Sequence, residues 1–373
     1  MKIEQIIYVS GAGWESKVGN LCGAQPQLVL VFGGRHLLEQ NEGLDELRRI
    51  YPEAHIVAAS TWGAIVGSEI IDDTITATAI VFEKTRVACA VAPSGDSHAA
   101  GKALAEQLRG PELAHVFVVS DGLCVNATDL VRGFNESLPP GVLLSGGLAG
   151  DGISFQRTMV GLNRPPSTGQ VVAIGFYGAA LRTGCGTAGG WAAFGPVRTV
   201  TRAEGNTLFE LDGKSALKLY RTYLGEQAAE LPASGLRFPL GVTRAASAEA
   251  VVRTVISIDD KRECMVFAGD IPVGAHARFM RASYEDIIDA AGQAAEQSRG
   301  IGEPELVLCV SCLGRRIVLG QRIEEETENV RAAIGQTAVL TGFYSNGELA
   351  PSGASAVCDL HNQTMSVTSM REV

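Results

Sequence analysis

The sequence predicts an α/β (α+β) protein of two tandem domains, with mixed β-sheets flanked by helices. Three observations lead to this prediction. The chain has 373 residues, which is too long for one ordinary core. Hydrophobic residues make up 46% of it, as in compact proteins. A strand–helix–strand–strand order of elements occurs three times, and its short connections favour partly parallel sheets.

The first copy begins at the apolar run QLVLVFGG, a predicted strand. In GLDELRRIYP, apolar residues recur at helical spacing and Pro52 ends the helix. AHIVAAS is the second strand, and it ends at Thr61, Trp62 and Gly63. TITATAIVFE and TRVACAVA complete the copy as a predicted strand pair, which adds antiparallel members to the sheet.

The second copy starts at HVFVVSDG, and NATDLVRGFNESLP is its helix, capped by Asn126 or Thr128. Its second strand, GVLLSGG, ends in Gly146 and Gly147, and the strands TMVGLN and GQVVAIGFYG follow. The third copy consists of the strand ELVLCVSCLG, the helix EEETENVRAAIG closed by Gly335, and the strands AVLTGFYSNGE and NQTMSVTSM.

A different block separates the second copy from the third. GNTLFELDGKSALKLYRTYLGEQ predicts a strand, a turn and a helix, and VVRTVISIDDKRECMVFAGDIP predicts a hairpin. SYEDIIDAAGQAAEQSRG predicts an alanine-rich helix. We therefore expect the domain boundary near residue 205, which gives domains 1–205 and 206–373.

Composition excludes several classes of protein. The net charge of −10 argues against a nucleic-acid partner, because phosphates need a basic surface. No uncharged apolar run reaches the ~18 residues of a membrane span, and the first residues lack the cationic region of a signal peptide. The eight cysteines are scattered, so we expect them to be mostly free and buried, as in a cytoplasmic protein.

Motifs for catalysis are missing from the sequence. Cys309 and Cys312 form a CxxC, but they lie on a predicted strand, where residues three apart point to opposite faces. Neither a disulfide nor a shared metal is expected there. GCGTAG is not followed by the helix that a dinucleotide site needs. We therefore expect a binding protein; an enzyme using Cys312 or Glu348 is the competing hypothesis.

The carboxyl ends of the strands hold the candidate site, because ligands of open α/β sheets bind there. Turns can explain the glycines, but a turn has no use for Tyr344 or Glu348 in LTGFYSNGELAP. Arg315 and Arg316 follow a strand of the third copy and either bind a carboxylate or phosphate in this cleft or lie on the surface. The strand-end candidates are Thr61, Trp62, Gly63, Ser145, Gly146, Gly147, Asp151, Tyr344, Ser345, Asn346 and Glu348.

Several long stretches are similar to a known family. GWAAFGPVRTVTRAEGNTLFELDGKSALKLY (190–220) resembles the junction of a FIST-domain protein. VSCLGRRIVLGQRIEEE, LTGFYSNGELAP and LHNQTMSV resemble the C-terminal half of that family, and AASTWGAI, SDGLCVNATDLVRGF and GGLAGDGISFQRTMVG its N-terminal half. The resemblance spans residues 25–373 and implies a FIST N domain in 1–205 and a FIST C domain in 206–373.

The resemblance implies a sensory module of bacterial and archaeal signalling that binds a small ligand. It also implies a signalling partner, such as a histidine kinase or a cyclic-dinucleotide enzyme. Because no output module occurs in the sequence, we expect a stand-alone, cytoplasmic sensor. Some members are haem proteins that sense nitric oxide, and a haem-based sensor is therefore the alternative.

The resemblance also bears on single residues. If haem is bound, His361 is the expected ligand and His276 the second choice; otherwise His361 is a polar ligand contact or a structural histidine. Asn362 and Thr364, in the same HNQT motif, are turn residues or part of the pocket, and we include Asn362 in the candidate site. Family members usually have a glutamate at the position of Ala64, and Glu348 is its counterpart in the third copy. If the glutamate of the first copy helps to bind the ligand, this half of the site is lost or altered here.

Overall fold

The computed structural model describes residues 1–41, 43–243, 250–352 and 357–373. It confirms the α/β class with mixed sheets flanked by helices. Four sheets contain all the strands of these described ranges, and the first three are built on one plan. No helix within these described ranges is long and apolar enough to cross a membrane.

Each of the first three sheets has the two parallel strands of one copy near its middle, with antiparallel strands beside them. In spatial order, the first sheet contains Val160–Leu162, His55–Ser60, Leu28–Gly33, Ile75–Val81, Lys2–Val9 and Gly13–Gly19. The second contains Cys358–His361, Glu348–Pro351, Leu143–Leu148, Leu113–Ser120, Gln170–Tyr177 and Arg86–Pro93. The third contains Leu181–Ala188, Met365–Glu372, Leu306–Cys312, Val339–Ser345, Ala64–Val66 and Glu69–Ile71.

The three sheets exchange strands in a ring. The first copy contributes Ala64–Val66 to the third sheet, where it pairs with Val339–Ser345. The second copy contributes Val160–Leu162 to the first sheet. The third copy contributes Glu348–Pro351 to the second sheet. Each copy therefore needs the other two to complete its hydrogen bonding, and the strand ends of all three are drawn to one place.

The central core lies between the three sheets, and each sheet has helices on its other face. In Leu28–Gly33, Leu28, Leu30 and Phe32 point into the central core, while Val29 and Val31 pack under the helix Leu44–Ile50. Burial on both faces explains why these strands are continuous apolar runs in the sequence. The helices are Arg35–Glu39, Leu44–Ile50, Ser97–Leu108, Ala127–Ser137, Ala216–Leu224, Tyr284–Ser298, Leu313–Leu319 and Glu324–Ile334, with short 3₁₀ turns at Gly225–Glu230, Ala233–Arg237, Arg299–Ile301 and Gly320–Arg322.

The block between the second and third copies forms the fourth sheet. It follows the strand Leu181–Ala188, precedes the helix Tyr284–Ser298, and has a core of its own under the helix Ala216–Leu224. The predicted boundary near 205 lies at the turn between two paired strands of this sheet. Its strands are, in order, Val251–Arg253, Leu240–Thr243, His276–Arg281, Ala192–Glu204, Thr207–Leu211, Cys264–Phe267 and Val255–Asp259, with Lys214–Ser215 beside Thr207–Leu211.

One strand pairing predicted from the sequence is wrong. TITATAIVFE and TRVACAVA do form strands, Ile75–Val81 and Arg86–Pro93, but the first lies in the first sheet and the second in the second sheet. Arg86–Pro93 pairs instead with Gln170–Tyr177, and every pair of opposed residues is more than 75 positions apart along the chain. Alternation along a strand reports which faces are buried, and says nothing about the partner strand.

Candidate functional site

The carboxyl ends of the second strands of the three copies lie against one another. Hydrogen bonds between main-chain atoms join them in pairs: Gly150 N donates to Ser60 O at 2.9 Å, Asn346 N to Leu148 O at 3.0 Å, and Tyr344 N to Gly63 O at 3.0 Å. The Thr61 hydroxyl adds a bond of 2.8 Å to Tyr344 O. The three predicted groups of residues therefore meet around a common point.

The strand register shows which residues of the first and third copies are equivalent. Ser60 lies opposite Gly33 in one sheet, and Tyr344 lies opposite Ser311 in the other. The last strand of each copy has the same register, because Ile75 pairs with Gly33 and Met365 pairs with Ser311. Counting from these pairs, the equivalent residues are Thr61 and Ser345, Trp62 and Asn346, Gly63 and Gly347, Ala64 and Glu348, Asp72 and Asn362, Asp73 and Gln363, and Thr74 and Thr364.

In the third copy this place is filled by a buried carboxyl. Glu348 is fully buried, and Ser345 Oγ donates to its Oε1 at 2.6 Å. Thr364 donates to Oε2 from Oγ1 at 2.8 Å and from its backbone N at 3.2 Å. Burial raises the pKa of Glu348 to about 7, although these three donors act in the opposite direction.

The titration of Glu348 gives a prediction for stability against pH. Its folded-state pKa is about 7 and its ordinary value is 4.5, so its stabilising contribution is complete below 4.5 and is lost as the pH rises through 7. We expect wild type to lose stability of the order of 3 kcal/mol relative to Glu348→Gln across that window. Urea unfolding at a series of pH values measures it. Glu226→Gln, at an exposed position, is the control, and parallel curves for Glu348→Gln and wild type would contradict the prediction.

In the first copy the equivalent place is open. A cavity of about 230 Å³, which we call the Trp62 cavity, lies beyond the ends of the strands Leu28–Gly33 and His55–Ser60. It is open because Gly33, Gly34 and Ala64 stand where the third copy has Ser311, Cys312 and Glu348. The lining residues are Gly33, Gly34, Arg35, His36, Thr61, Trp62, Gly63, Ala64, Ile71, Asp72, Asp73, Asp151 and Ser154.

A larger cavity of about 460 Å³ lies elsewhere and is lined by Met1, Glu305 and Glu372 among others. None of the strand-end candidates borders it. Of the strand-end candidates, Thr61, Trp62, Gly63 and Asp151 line the smaller Trp62 cavity.

Arg316 lies behind the wall of the Trp62 cavity and binds two of its lining residues, Trp62 and Asp72. It lies on the helix Leu313–Leu319, and its Nη1 donates to Trp62 O at 2.5 Å. Its two terminal nitrogens bind both oxygens of Asp72, at 2.9 and 2.5 Å. The guanidinium also lies 4.5 Å from the Trp62 ring centroid, a cation–π contact. A side chain at Gly63 would exclude it, since a Cβ there would be 2.0 Å from Arg316 Nη1.

Asp151 connects the second copy to the same cavity. Its Oδ2 accepts from Gln156 N at 2.8 Å and from Arg157 N at 2.9 Å, which fixes the loop that carries it. Its Oδ1 is buried and has no hydrogen-bond partner in the described part of the chain. A buried acceptor without a donor is unfavourable, so this atom needs a donor that the described part of the chain does not supply.

Arg315 and Tyr344 lie inside the protein. Arg315 is fully buried, and its Nε donates to Glu326 Oε2 at 2.8 Å. It also binds the carbonyls of Gly189 and Ile287, at 3.1 and 2.6 Å. Tyr344 donates its hydroxyl to Glu326 Oε1 at 2.6 Å, and burial raises its pKa well above the ordinary value. The structure therefore places both side chains in an internal ion-pair network.

The second-copy candidates other than Asp151 are also internal. Ser145 Oγ lies 2.8 Å from His115 Nε2, and burial lowers the pKa of that histidine to about 3. A Cβ at Gly146 would be 2.0 Å from Val118 O, and one at Gly147 would be 2.5 Å from a Val310 methyl carbon, so both positions need glycine for close packing.

Asn346 and Asn362 have amide groups that remain unpaired. Within the described ranges, neither the oxygen nor the nitrogen of either side-chain amide has a hydrogen-bond partner, although all four atoms are buried. Asn346 lies beside Gly122 and Gly150, and Asn362 beside Gly347. These amides are suited to ordered water or a small polar guest at the third strand end.

The histidine expected to bind haem has other partners. His361 Nε2 lies 3.2 Å from Ala350 O and 3.3 Å from Ser352 Oγ, and its cross-strand neighbour is Glu348. Burial lowers its pKa to about 4. It borders neither of the two cavities described above, and its surroundings are polar. The residues at His361 do not fit an axial haem ligand, which needs an apolar slot around the macrocycle.

The CxxC cysteines are free, as expected. Cys309 lies within the strand Leu306–Cys312, and Cys312 ends that strand just before the helix Leu313–Leu319, which the sequence analysis did not predict. Burial raises the pKa of both thiols, so neither is held as a reactive thiolate.

Sequence reasoning missed part of the cavity wall: Gly33, Gly34, Arg35, His36, Asp72 and Asp73. A signal for the aspartates was present, because IDDTI before the last strand of the first copy matches HNQTM before that of the third. Asp73 and Gln363 even share a left-handed backbone, with φ of 49° and 61°.

Comparison with known families confirms the resemblance noted in the sequence. The FIST N domain model matches residues 27–214, and the FIST C domain model matches residues 216–351. No match is found among curated proteins. Both matched domains are associated with sensory signal transduction, and together they cover most of the sequence. The chain therefore belongs to the FIST family.

Proposed function

We propose that this FIST protein is a cytoplasmic sensor that binds a small molecule in the Trp62 cavity and passes the signal to a protein partner. The observation that supports it most is the cavity itself. It lies at the strand ends of the first copy, with Asp151 of the second copy in its wall, and the first copy lacks the side chains that fill the equivalent place in the third copy. Asp151 lines the cavity, and its buried Oδ1 has no donor in the described part of the chain.

The link from the cavity to the rest of the molecule supports a sensing role. Arg316 belongs to the third copy, yet it holds Trp62 O and Asp72 in the wall of a first-copy cavity. A ligand that shifts either group changes the bonds of Arg316 and hence the position of the helix Leu313–Leu319. A change at the cavity is thereby carried into the third copy, and a partner such as a histidine kinase or a cyclic-dinucleotide enzyme would detect the altered arrangement.

Binding without turnover fits the chemistry of the described groups better than catalysis. Cys312 and Glu348, the residues of the enzyme hypothesis, are buried at the equivalent place in the third copy. The Glu348 carboxyl is hydrogen-bonded within the chain. No observation favours the haem alternative, since His361 is engaged with Ala350 and Ser352. The eight free cysteines support the cytoplasmic assignment.

Filling the cavity tests the proposal. Ala64→Gln adds a neutral side chain with the length of Glu348, whereas Ala64→Ser leaves the space open and is the matched control. Wild type, Ala64→Gln and Ala64→Ser are dialysed to equilibrium against a low-molecular-weight extract of the producing cells, and the retained molecules are identified by mass spectrometry. We expect at least one molecule retained by wild type and Ala64→Ser, with retention falling tenfold or more in Ala64→Gln.

The outcomes distinguish a wrong location of the site from a wrong function. Retention that is equal in all three proteins would place the ligand elsewhere, and no retention by wild type would contradict ligand sensing. Thermal melts of the three proteins without extract show whether Ala64→Gln is folded. A retained ligand should also stabilise wild type by about 2.7 kcal/mol at a hundredfold excess over its dissociation constant.

A further inference from the structure

We propose that the ligand of the Trp62 cavity carries a positively charged organic group, an amine or a guanidine, which binds Asp151 and Asp73. This inference rests on the proposed function, because it names the chemistry of the molecule bound at the same site. It follows from the charges of the cavity wall that the protein itself leaves unused.

The arginines in and behind the cavity wall are mostly paired with carboxylates. Arg316 binds both oxygens of Asp72, so this pair is neutral overall and presents no free charge to a ligand. Arg35 lies 3.8 Å from Glu39, which also pairs with Arg157 at 3.3 Å. His36 is exposed at the border of the cavity. An anionic ligand would therefore have to compete with Asp72 and Glu39 for these arginines.

Two carboxylates of the wall have spare acceptors. Asp151 uses Oδ2 for the amides of Gln156 and Arg157, and its Oδ1 stays buried without a donor. Asp73 makes no hydrogen bond or ion pair with the residues that the structure describes, and it lies next to the committed Asp72. Two acceptors of the same sign at one cavity match an ammonium group, which has several donors and one positive charge.

The twin site in the third copy explains why these carboxylates remain. There the equivalents of Asp72 and Asp73 are the neutral Asn362 and Gln363, and the carboxyl in the site belongs to Glu348. The third copy thus fills its site with its own acid and keeps neutral amides around it. The first copy has Ala64 at that position, so the space stays open, and its acidic side chains lie in the cavity wall instead.

Probes that differ only in charge test this inference. Binding of para-fluorobenzylamine, para-fluorobenzyl alcohol and para-fluorobenzoate is measured by fluorine NMR titration of wild type. The three probes have the same ring and are cationic, neutral and anionic at neutral pH. We expect the amine to bind at least tenfold more tightly than the alcohol, and the benzoate to bind more weakly than both.

Aspartate variants locate the charge. Asp151→Asn keeps an oxygen for the loop amides but removes the charge, and we expect it to weaken amine binding about tenfold or more. Asp73→Asn should weaken it about three- to fivefold, because Asp73 is exposed. Asparagine tolerates the left-handed backbone of residue 73, so the variant is expected to fold. Neither change should alter binding of the alcohol. Asp260→Asn, at an exposed ion pair in the fourth sheet, is the control.

Each failure has its own signature. If the benzoate binds best, if the amine does not bind at millimolar concentrations, or if both aspartate variants bind the amine as wild type does, the charge assignment is overturned. The Ala64→Gln variant distinguishes a wrong charge assignment from a wrong binding site. If the charge assignment fails, loss of alcohol or benzoate binding in Ala64→Gln would still keep the cavity as a binding site. Unchanged amine binding in Ala64→Gln would contradict the site.

Discussion

A fragment of residues 1–205 is expected to be unfolded at temperatures where the whole chain is stable. The fragment contains Ala64–Val66 but not its partner strand Val339–Ser345. It also leaves the central core without one of its three walls. Five third-sheet side chains of that core would be missing: Leu306, Leu308, Val310, Phe343 and Met370. At about 1.5–3 kcal/mol each, their burial contributes about 7–15 kcal/mol, which is comparable to the whole stability of a domain.

Circular dichroism melts and limited proteolysis of the fragment and the whole chain measure this effect. We expect no cooperative melt for the fragment, and digestion throughout its length. Adding a second fragment, residues 206–373, should restore protection if the strand exchange is the cause. A protease-resistant fragment 1–205 that melts cooperatively at the temperature of the whole chain would show that the copies are independent.

Removing the charge of Arg315 is expected to cost about 3–5 kcal/mol of stability. In Arg315→Leu, the fully buried Glu326 loses the cation that compensates its charge. Ser311 and Tyr344 still donate to Glu326 Oε1, but Oε2 loses its partner. The carbonyls of Gly189 and Ile287 lose donors as well. The effect is large because the Glu326 carboxylate stays buried without its cation.

Urea unfolding of Arg315→Leu compares the buried pair with an exposed one. Arg221→Leu, which breaks an ion pair with Asp260 whose side chains are 43% and 63% exposed, should cost about 0–1 kcal/mol. The double variant Arg315→Leu, Glu326→Leu should recover part of the loss, since it leaves no unpaired charge. Equal costs for Arg315→Leu and Arg221→Leu would argue that Arg315 is not inside the network.

Local elements could be predicted from the sequence because their signals are local. The helix Ala127–Ser137 begins after Asn126, whose side chain caps it as expected, and the helix Glu324–Ile334 ends at Gly335. The strand-end rule also led to Trp62 and Asp151, which do line a cavity. These features depend on spacing and on the preferences of single residue types.

The strand exchange could not be predicted in the same way. Ala64–Val66 and Glu69–Ile71 have three residues each, too few to show which sheet they join. Arg315 followed a strand and was a candidate for a ligand contact, but its burial depends on Glu326, a residue that the sequence presents only as one of three acids at a helix start. Both features depend on partner residues that local sequence patterns do not identify.

The structure shows the effect of alanine at position 64, where family members usually have glutamate. In the sequence it suggested a site that was lost or altered. In the structure, Ala64 lies at the position of Glu348 and leaves space where Glu348 fills it. We therefore expect a ligand to occupy the space beside Ala64.

A crystal structure of the protein as purified from its producing cells, with no ligand added, tests this most directly. We predict density for a small organic molecule in the Trp62 cavity, with a donor within hydrogen-bonding distance of Asp151 Oδ1. Density for an organic molecule beside Glu348, with only water between Trp62 and Asp73, would contradict the assignment of the site to the first copy.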